Sequence, residues 1–176
     1  VVAQDEPEPV VAANEKPAMT VKPQPAPKAA FHPPPEEAMP KKEFGQTVKL
    51  GRDIFEHTGR YASRYIGPTN LNCSSCHLDA GRLAHSAPLW AAYVSYPAYR
   101  SKNKKVNTFA SRVQGCFKYS MNGKAPPLGD PVLIALESYA YWLASGAPID
   151  PKIAGRGYPK VPTPPLPRDY ARGQQV

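Results

Sequence analysis

Several features that this sequence lacks exclude classes of protein before any motif is considered. No stretch approaches the roughly 18 consecutive apolar residues of a membrane-spanning helix, so no membrane span is predicted. There are only three cysteines, and no second CxxC, CxxH or HxxxH pair that would complete a zinc site. No strand–helix–strand pattern accompanies the cysteines, which disfavours a thioredoxin-like redox pair.

What the sequence does have is Cys73-Ser74-Ser75-Cys76-His77, the pattern of a c-type haem attachment site. Two thiols three residues apart can reach the two vinyl groups of one porphyrin, and the histidine that follows is then close enough to ligate the iron. The sequence therefore predicts one covalent haem c, attached through Cys73 and Cys76, with His77 as an iron ligand.

A second iron ligand would have to come from elsewhere, and Cys116 and Met121 are the two serious candidates. The other histidines and methionines fall in a proline-rich segment, in a loop near the motif or at the end of the helix before it. Met121 would give the His/Met ligation of an electron carrier, with a raised potential. A Cys116 thiolate would lower the potential and place a nucleophilic sulfur beside the haem. Cys116 could also be a buried thiol that only packs.

A cluster of basic residues surrounds these candidates. The interval from Arg100 to Lys124 contains no Asp or Glu, and its cations are Arg100, Lys102, Lys104, Lys105, Arg112, Lys118 and Lys124. We expect this charge to lower the pKa of the Cys116 thiol and to concentrate a small anion. The alternative is a solvated basic face that docks an acidic partner.

The charge of the whole chain is uneven. The formal net charge is +8, although residues 1–40 hold three lysines against six acidic residues. Such a balance could suit nucleic acid, but the aromatic residues fit a haem-covering core better than a base-stacking platform, so no nucleic-acid binding is predicted.

Three segments together carry a family resemblance: CSSCHLDAG, RVQGCFKYSMNG and ALESYAYWLASG. Over about residues 43–158 the sequence resembles the N-terminal haem domain of the tetrathionate-forming thiosulfate dehydrogenases. It is similar, more distantly, to the SoxA-type cytochromes of sulfur oxidation. The resemblance implies a periplasmic enzyme that oxidises thiosulfate to tetrathionate and passes electrons to a second cytochrome domain or subunit.

The resemblance also implies roles for individual residues. Cys116 matches the cysteine that is both the second iron ligand and the site of substrate chemistry in that family, and Arg112 and Ser120 match its neighbouring pocket residues. Residues four apart share a helix face, so these three would line one pocket on a continuous helix. Where the family has another pocket arginine, this sequence offers Arg100 and Lys102. A lysine there would weaken bidentate binding of an anion.

The sequence divides into three predicted parts. Residues 1–40 contain ten of the 23 prolines and are predicted to be a disordered, partly polyproline tether. Residues 41–146 are predicted to form the haem domain. Residues 147–176 hold seven more prolines and are predicted to be a linker into a second cytochrome domain that is not in this sequence, or a tail that wraps the first.

The predicted fold class is all-α, with the arrangement of a class I cytochrome c. Phe44, Val48, Gly51 and Phe55 form a helical stripe, and Gly51 suggests a close helix crossing near the start of the domain. The crossing partner is predicted between the N-cap Asp130 and Gly146. A short helix is predicted within residues 88–99, and Thr108 is predicted to cap the helix that carries Cys116.

Two other functions remain open on the sequence. With Met121 on the iron, the protein would be a plain electron-transfer cytochrome in which Cys116 is structural. As a SoxA-like subunit of a sulfur-oxidising complex, it would join thiosulfate to a cysteine of a carrier protein instead of to another thiosulfate.

Overall fold

The computed structural model describes residues 30–150, 152–160 and 169–175. Its helices are α1 (Glu43–Glu56), α2 (Thr58–Tyr61), α3 (Leu89–Val94), α4 (Phe109–Gly115), α5 (Pro131–Leu143) and α6 (Tyr170–Gly173). Single 3-10 turns lie at Glu36–Ala38, Ser63–Tyr65, Cys73–Ser75 and Asp79–Gly81, and a π-turn at Cys116–Ser120. None of the helices in these ranges has the length and apolar character needed to cross a membrane.

Helices α1 and α5 cross at the centre of the domain, as the sequence predicts. Gly51 makes the crossing possible, because a Cβ built on it would lie 2.0 Å from the carbonyl oxygen of Ala135. Around this contact the two helices bury apolar side chains against each other: Val48, Ile54 and Phe55 from α1, and Leu133, Leu136, Ala140 and Leu143 from α5. The two crossing helices thus contribute a large part of the hydrophobic core, and side chains of α3 and α4 pack in the same core.

Two predicted helix starts are confirmed by their caps. The Asp130 carboxylate accepts a hydrogen bond from the backbone N–H of Val132 at 2.9 Å, and Pro131 occupies the first position of α5. The Thr108 hydroxyl accepts from the N–H of Ser111 at 3.1 Å and begins α4. These caps fix where the last two helices around the core begin.

The fold is mostly helical, but the all-α prediction is wrong at one place. The helix expected within residues 88–99 ends at Val94, and the chain continues into strand β1 (Ala98–Arg100), which pairs antiparallel with β2 (Lys105–Asn107). Each strand has only three residues, too few for alternation to be visible in the sequence. The resulting hairpin carries much of the basic cluster away from the core.

The packed part of the chain begins before Lys41, the predicted start of the domain. The Phe31 ring lies 5.4 Å from that of Trp90, and Arg82 donates a hydrogen bond to the carbonyl of Pro34 at 2.5 Å. Arg52 of α1 forms an ion pair with Glu36 at 2.7 Å. Residues 30–40 therefore belong to the domain surface, and the tether prediction for residues 1–29 lies outside the described residues.

The segment after α5 also returns to the domain. Ile153 is buried in the core, and Gly155 sits where an added Cβ would lie 2.9 Å from Ala30 and 3.2 Å from Trp90. The predicted linker over 147–176 thus starts as a closing segment on the first domain. Residues 161–168 lie outside the described residues, and a following second domain stays a prediction.

Candidate haem site

The CxxCH motif forms one compact turn. Cys73–Ser75 is a 3-10 turn whose first residues are held by a reciprocal pair of hydrogen bonds between Asn72 and Ser75. The N–H of His77 then donates to the carbonyl of Cys73 at 3.1 Å. This turn brings the two thiols and the imidazole into one region, as attachment to a single porphyrin requires.

Thr58, at the start of α2, holds the first thiol. Its buried hydroxyl accepts from the N–H of Cys73 at 3.1 Å and donates to Cys73 Sγ at 3.4 Å. Burial raises the pKa of Cys73 to about 11, although the hydrogen bond from Thr58 acts in the opposite direction. The orientation of this thiol is therefore fixed by a side chain outside the motif.

The His77 ring is oriented by a backbone carbonyl. Its Nδ1 lies 2.6 Å from the carbonyl oxygen of Ala87, and because a carbonyl can only accept, Nδ1 carries the proton. A neutral imidazole with its proton on Nδ1 has its lone pair on Nε2, and this is the tautomer that ligates a metal through Nε2. This arrangement suits a histidine that binds iron through Nε2.

A cavity of about 440 Å³ borders the motif. Cys73, Cys76 and His77 line it, and its apolar wall comes from α1, α3, α4 and α5 through Phe55, Leu89, Phe109, Val113 and Leu136. Ligand cavities in proteins commonly have volumes in the range of about 300–1,000 Å³ with mostly apolar linings. Two thiols and an imidazole held through Nδ1, all bordering one apolar cavity, fit a covalently attached haem.

The π-turn after α4 supplies another part of the same wall. Helix α4 ends at Gly115, and the N–H of Met121 donates to the carbonyl of Cys116 at 3.0 Å, five residues back. Such widened turns occur frequently at functional sites. Arg112, Cys116 and Ser120 all line the cavity, so the structure brings together the three residues expected to share a pocket.

Both candidate second ligands border this cavity. Cys116 is partly buried and Met121 is 5% exposed, and each contributes to the lining. Because both residues line the cavity, their positions do not decide whether the sulfur of Cys116 or that of Met121 would bind the iron. The choice stays a prediction.

The expected lowering of the Cys116 pKa is wrong. Burial raises the pKa of this thiol, and the charge of Arg112 opposes that effect only in part. The reason is the position of the other cations: the lysines of the basic cluster are exposed and absent from the cavity lining, namely Lys102, Lys104, Lys105, Lys118 and Lys124. Lys102 lies in the turn of the hairpin, whereas Arg100 of β1 does line the cavity.

Sequence reasoning missed Arg156 and Tyr158. Arg156 is a third arginine among the residues that line the cavity, in addition to Arg100 and Arg112. The Tyr158 hydroxyl donates to the carbonyl of Cys76 at 2.6 Å. Both lie in the segment interpreted as a linker, where the only signal was Gly155 and Gly157, two glycines that adopt positive φ on either side of Arg156.

The compact CxxCH turn, the crossing of α1 and α5 and the apolar cavity beside them define a c-type cytochrome domain. The chain belongs to the SoxA/TsdA cytochrome c domain family, whose sequence profile matches residues 61–149.

Two relatives named thiosulfate dehydrogenase match over most of this chain. It is 66% identical over 148 residues to a thiosulfate dehydrogenase of Thiomonas intermedia strain K12, covering 84% of this chain and 47% of that protein. It is 51% identical over 146 residues to a thiosulfate dehydrogenase of Stutzerimonas stutzeri strain A1501, covering 83% and 47%. The chain thus spans about half the length of the curated relatives it matches.

A solved structure has the same fold. The as-isolated form of the thiosulfate dehydrogenase TsdBA from Marichromatium purpuratum superimposes with a TM-score of 0.79 at 44% sequence identity. The match covers 84% of this chain and 33% of that one.

Proposed function

We propose that this chain is the part of a thiosulfate dehydrogenase that binds thiosulfate and joins two molecules of it into tetrathionate. The observation that carries the proposal is the shared cavity: Cys116, Arg112 and Ser120 line the same space as the CxxCH motif. The relatives named thiosulfate dehydrogenase support it, since their matches extend over more than four-fifths of this chain.

One haem c would be held by thioether bonds to Cys73 and Cys76 and by His77 through Nε2, with Cys116 as the second iron ligand and Met121 as the alternative. When bound, haem c supplies one-electron transfer between the site and an external acceptor. The chain's own residues would hold it between the apolar wall and the haem motif, where Phe55 lies 6.0 Å from the His77 ring.

Arginine side chains are proposed to bind the substrate. Arg100 and Arg112 line the cavity, and a planar guanidinium can form two charge-assisted hydrogen bonds with the oxygens of a sulfonate group. The Ser120 hydroxyl on the same wall is a further donor. Lys102, which is exposed on the hairpin, would act at longer range by drawing the dianion toward the cavity.

Cys116 is proposed as the nucleophile. Its thiolate bonds to the sulfane sulfur of one thiosulfate while two electrons leave, so a thiolate and a dianion become a cysteine S-thiosulfonate with one negative charge. A second thiosulfate then attacks that sulfane sulfur, Cys116 departs as a thiolate, and tetrathionate is released with no further change in oxidation state. Burial disfavours the thiolate form of Cys116, and the positive charge of Arg112 acts in the opposite direction by favouring it.

The two electrons require an acceptor outside this domain. We propose a second cytochrome, either a further domain of the same protein or a separate subunit, because the relatives are about twice as long as the matched region. We also propose a periplasmic location, since haem is attached to CxxCH motifs outside the bacterial cytoplasm.

Thiosulfate-dependent reduction of ferricyanide by the haem-loaded protein tests the proposal, with tetrathionate measured as the product. Cys116→Ala should retain covalent haem and lose turnover by at least about 1,000-fold, because the nucleophile is gone. Met121→Leu is the matched control, since it removes the neighbouring sulfur from the same wall and should retain turnover. Wild-type activity in Cys116→Ala would refute the proposal.

An electron-transfer cytochrome with Met121 on the iron is the second candidate. The burial of Met121 in the cavity wall favours it. In that case the ferric protein has the weak red absorption band of methionine ligation, Met121→Leu abolishes that band, and Cys116→Ala leaves the spectrum unchanged. A SoxA-like role would instead give a thiosulfate adduct on a partner protein and no free tetrathionate.

A further inference from the structure

Residues 155–158 make three hydrogen bonds to the region around the haem motif. The N–H of His85 donates to the carbonyl of Gly155 at 2.6 Å, and the N–H of Ala87 donates to that of Gly157 at 2.8 Å. The Tyr158 hydroxyl donates to the carbonyl of Cys76 at 2.6 Å. We call residues 155–158 the closing strap.

One of these contacts continues directly to the proposed iron ligand. Ala87, whose N–H is bound by Gly157, uses its own carbonyl to accept from His77 Nδ1 at 2.6 Å. The strap also holds Cys76, the residue immediately before His77, through Tyr158. The imidazole is thus held from both sides, at its ring nitrogen and at its backbone, by groups that the strap binds.

The loop between the motif and α3 needs such support. His85 has φ of 62° and Ala87 has φ of 48°, both in the left-handed region that side-chain-bearing residues rarely adopt. Backbone in this region persists only where surrounding contacts hold it. The N–H groups of these same two residues are the ones that the strap binds.

The strap is itself anchored on the core. Ile153, two residues before it, is buried. Gly155 has φ of 84° and lies against Ala30, Ala84 and Trp90, so closely that an added Cβ would be 2.9–3.2 Å from them. A larger residue at position 155 would therefore push the strap away from the loop it holds.

We propose that the closing strap is a positioning element for His77, which sets the orientation of the imidazole and the strength of its Nδ1–H hydrogen bond, and through them the reduction potential of the haem. A hydrogen bond from the non-ligating ring nitrogen of a histidine to a carbonyl raises the basicity of the nitrogen that binds the metal. A more basic ligand stabilises ferric iron, so loosening the strap should raise the potential. The proposal rests on haem attachment at the CxxCH motif and not on thiosulfate oxidation.

The test uses the full chain with haem attached and needs no substrate. Tyr158→Phe removes one hydrogen bond and keeps the ring, and Gly155→Ala displaces the strap. Tyr141→Phe is the control, because this tyrosine is 53% exposed on α5 and outside the cavity lining. Each variant is measured by a spectroelectrochemical titration and by the exchange rate of the His77 Nδ1 proton in the NMR spectrum.

We expect both strap variants to raise the potential and to speed exchange of the Nδ1 proton, while Tyr141→Phe matches wild type. If Tyr158→Phe and Gly155→Ala leave both the reduction potential and the Nδ1 proton exchange rate unchanged, the proposal is overturned. This holds even if the melting temperatures of these variants fall, because the strap would then only stabilise the fold. If Gly155→Ala yields no haem-loaded protein, Tyr158→Phe decides alone. Thiosulfate activity is a separate measurement, so its absence leaves this result intact.

Discussion

Gly51 of α1 and Ala135 of α5 meet so closely that the space between them admits no side-chain atom. A Cβ on Gly51 would lie 2.0 Å from the carbonyl oxygen of Ala135 and 2.7 Å from the Cβ of Tyr139. Since the obstacle is backbone, the helices would have to move apart to accept any other residue. The crossing that supports the cavity therefore depends on this one position.

Gly51→Ala is expected to destabilise the domain by about 2–4 kcal/mol, as overpacking against an immovable neighbour does, despite the better helix propensity of alanine. Urea unfolding of the haem-loaded protein measures the change. Gly59→Ala is the matched control, because its Cβ would meet only Ile66 Cδ1 at 3.8 Å. Equal stabilities of the two variants would contradict the close-crossing interpretation.

Thr58→Val is expected to lower stability by about 1–3 kcal/mol, because it removes the hydroxyl that accepts from the N–H of Cys73. It also removes the hydrogen bond to Cys73 Sγ that orients this sulfur toward the cavity, so covalent haem attachment should be less complete. Haem content per chain and urea unfolding measure the two effects. Thr58→Ser keeps the hydroxyl and should resemble wild type, and a deficit in Thr58→Ser as large as that in Thr58→Val would exclude the hydroxyl as the cause.

The Asp130 carboxylate is expected to stabilise the folded protein at neutral pH and to lose this contribution as the pH becomes acid. Burial acts to raise the pKa of its carboxyl, but hydrogen bonds from Tyr65 and Val132 and the charge of Arg64 outweigh it, and the pKa lies below the usual value. A pKa lowered on folding stabilises the protein above the unfolded-state value of about 4, and that contribution disappears as pH falls through the folded-state value.

Asp130→Asn isolates this charge, because asparagine is an equally good N-cap. The variant should be less stable than wild type at pH 7, and the deficit should be smaller at about pH 2, because the stabilising charge of the wild-type carboxyl is lost as the pH falls. Urea unfolding at the two pH values measures the difference. A deficit of the same size at both pH values would show that the shape of the side chain, and not its charge, matters here.

Arg112→Gln is expected to lower kcat/KM for thiosulfate by about 10–100-fold, the loss of a charge-assisted contact worth about 1.5–3 kcal/mol. Steady-state kinetics at two salt concentrations measure it. Lys118→Gln is the control for net charge, because this nearby lysine is exposed and outside the cavity lining. A similar loss in Lys118→Gln would point to general attraction of the anion instead of a contact at the cavity.

Local chemistry made part of this protein predictable from its sequence. The haem motif and the caps Asp130 and Thr108 each depend on a few neighbouring residues with a distinct physical requirement. Gly51 indicated a close helix crossing because a glycine within an apolar helical stripe has few other reasons to be there. The grouping of Arg112, Cys116 and Ser120 followed from helical spacing together with the family resemblance. The structure has them on one cavity wall.

The remainder depends on contacts between distant residues, which spacing does not encode. Arg156 and Tyr158 reach the site only because the chain returns after α5, more than 70 residues from the motif in sequence, as the hydrogen bond from Tyr158 to Cys76 demonstrates. The pKa of Cys116 was predicted in the wrong direction because a count of cations contains no information on burial. The hairpin was not predicted because each strand has three residues, fewer than are needed to recognise the alternation of apolar and polar residues in a strand.

The π-turn at Cys116–Ser120 has a consequence for ligand choice. In an α-helix, with about 100° of rotation per residue, a side chain five positions on points roughly 140° away. Here the widened turn closes with the hydrogen bond from Met121 to Cys116, and both residues border one cavity. A thiol and a thioether therefore border the same space, so the identity of the second ligand depends on the two sulfur groups themselves and not on which segment of the chain reaches the site.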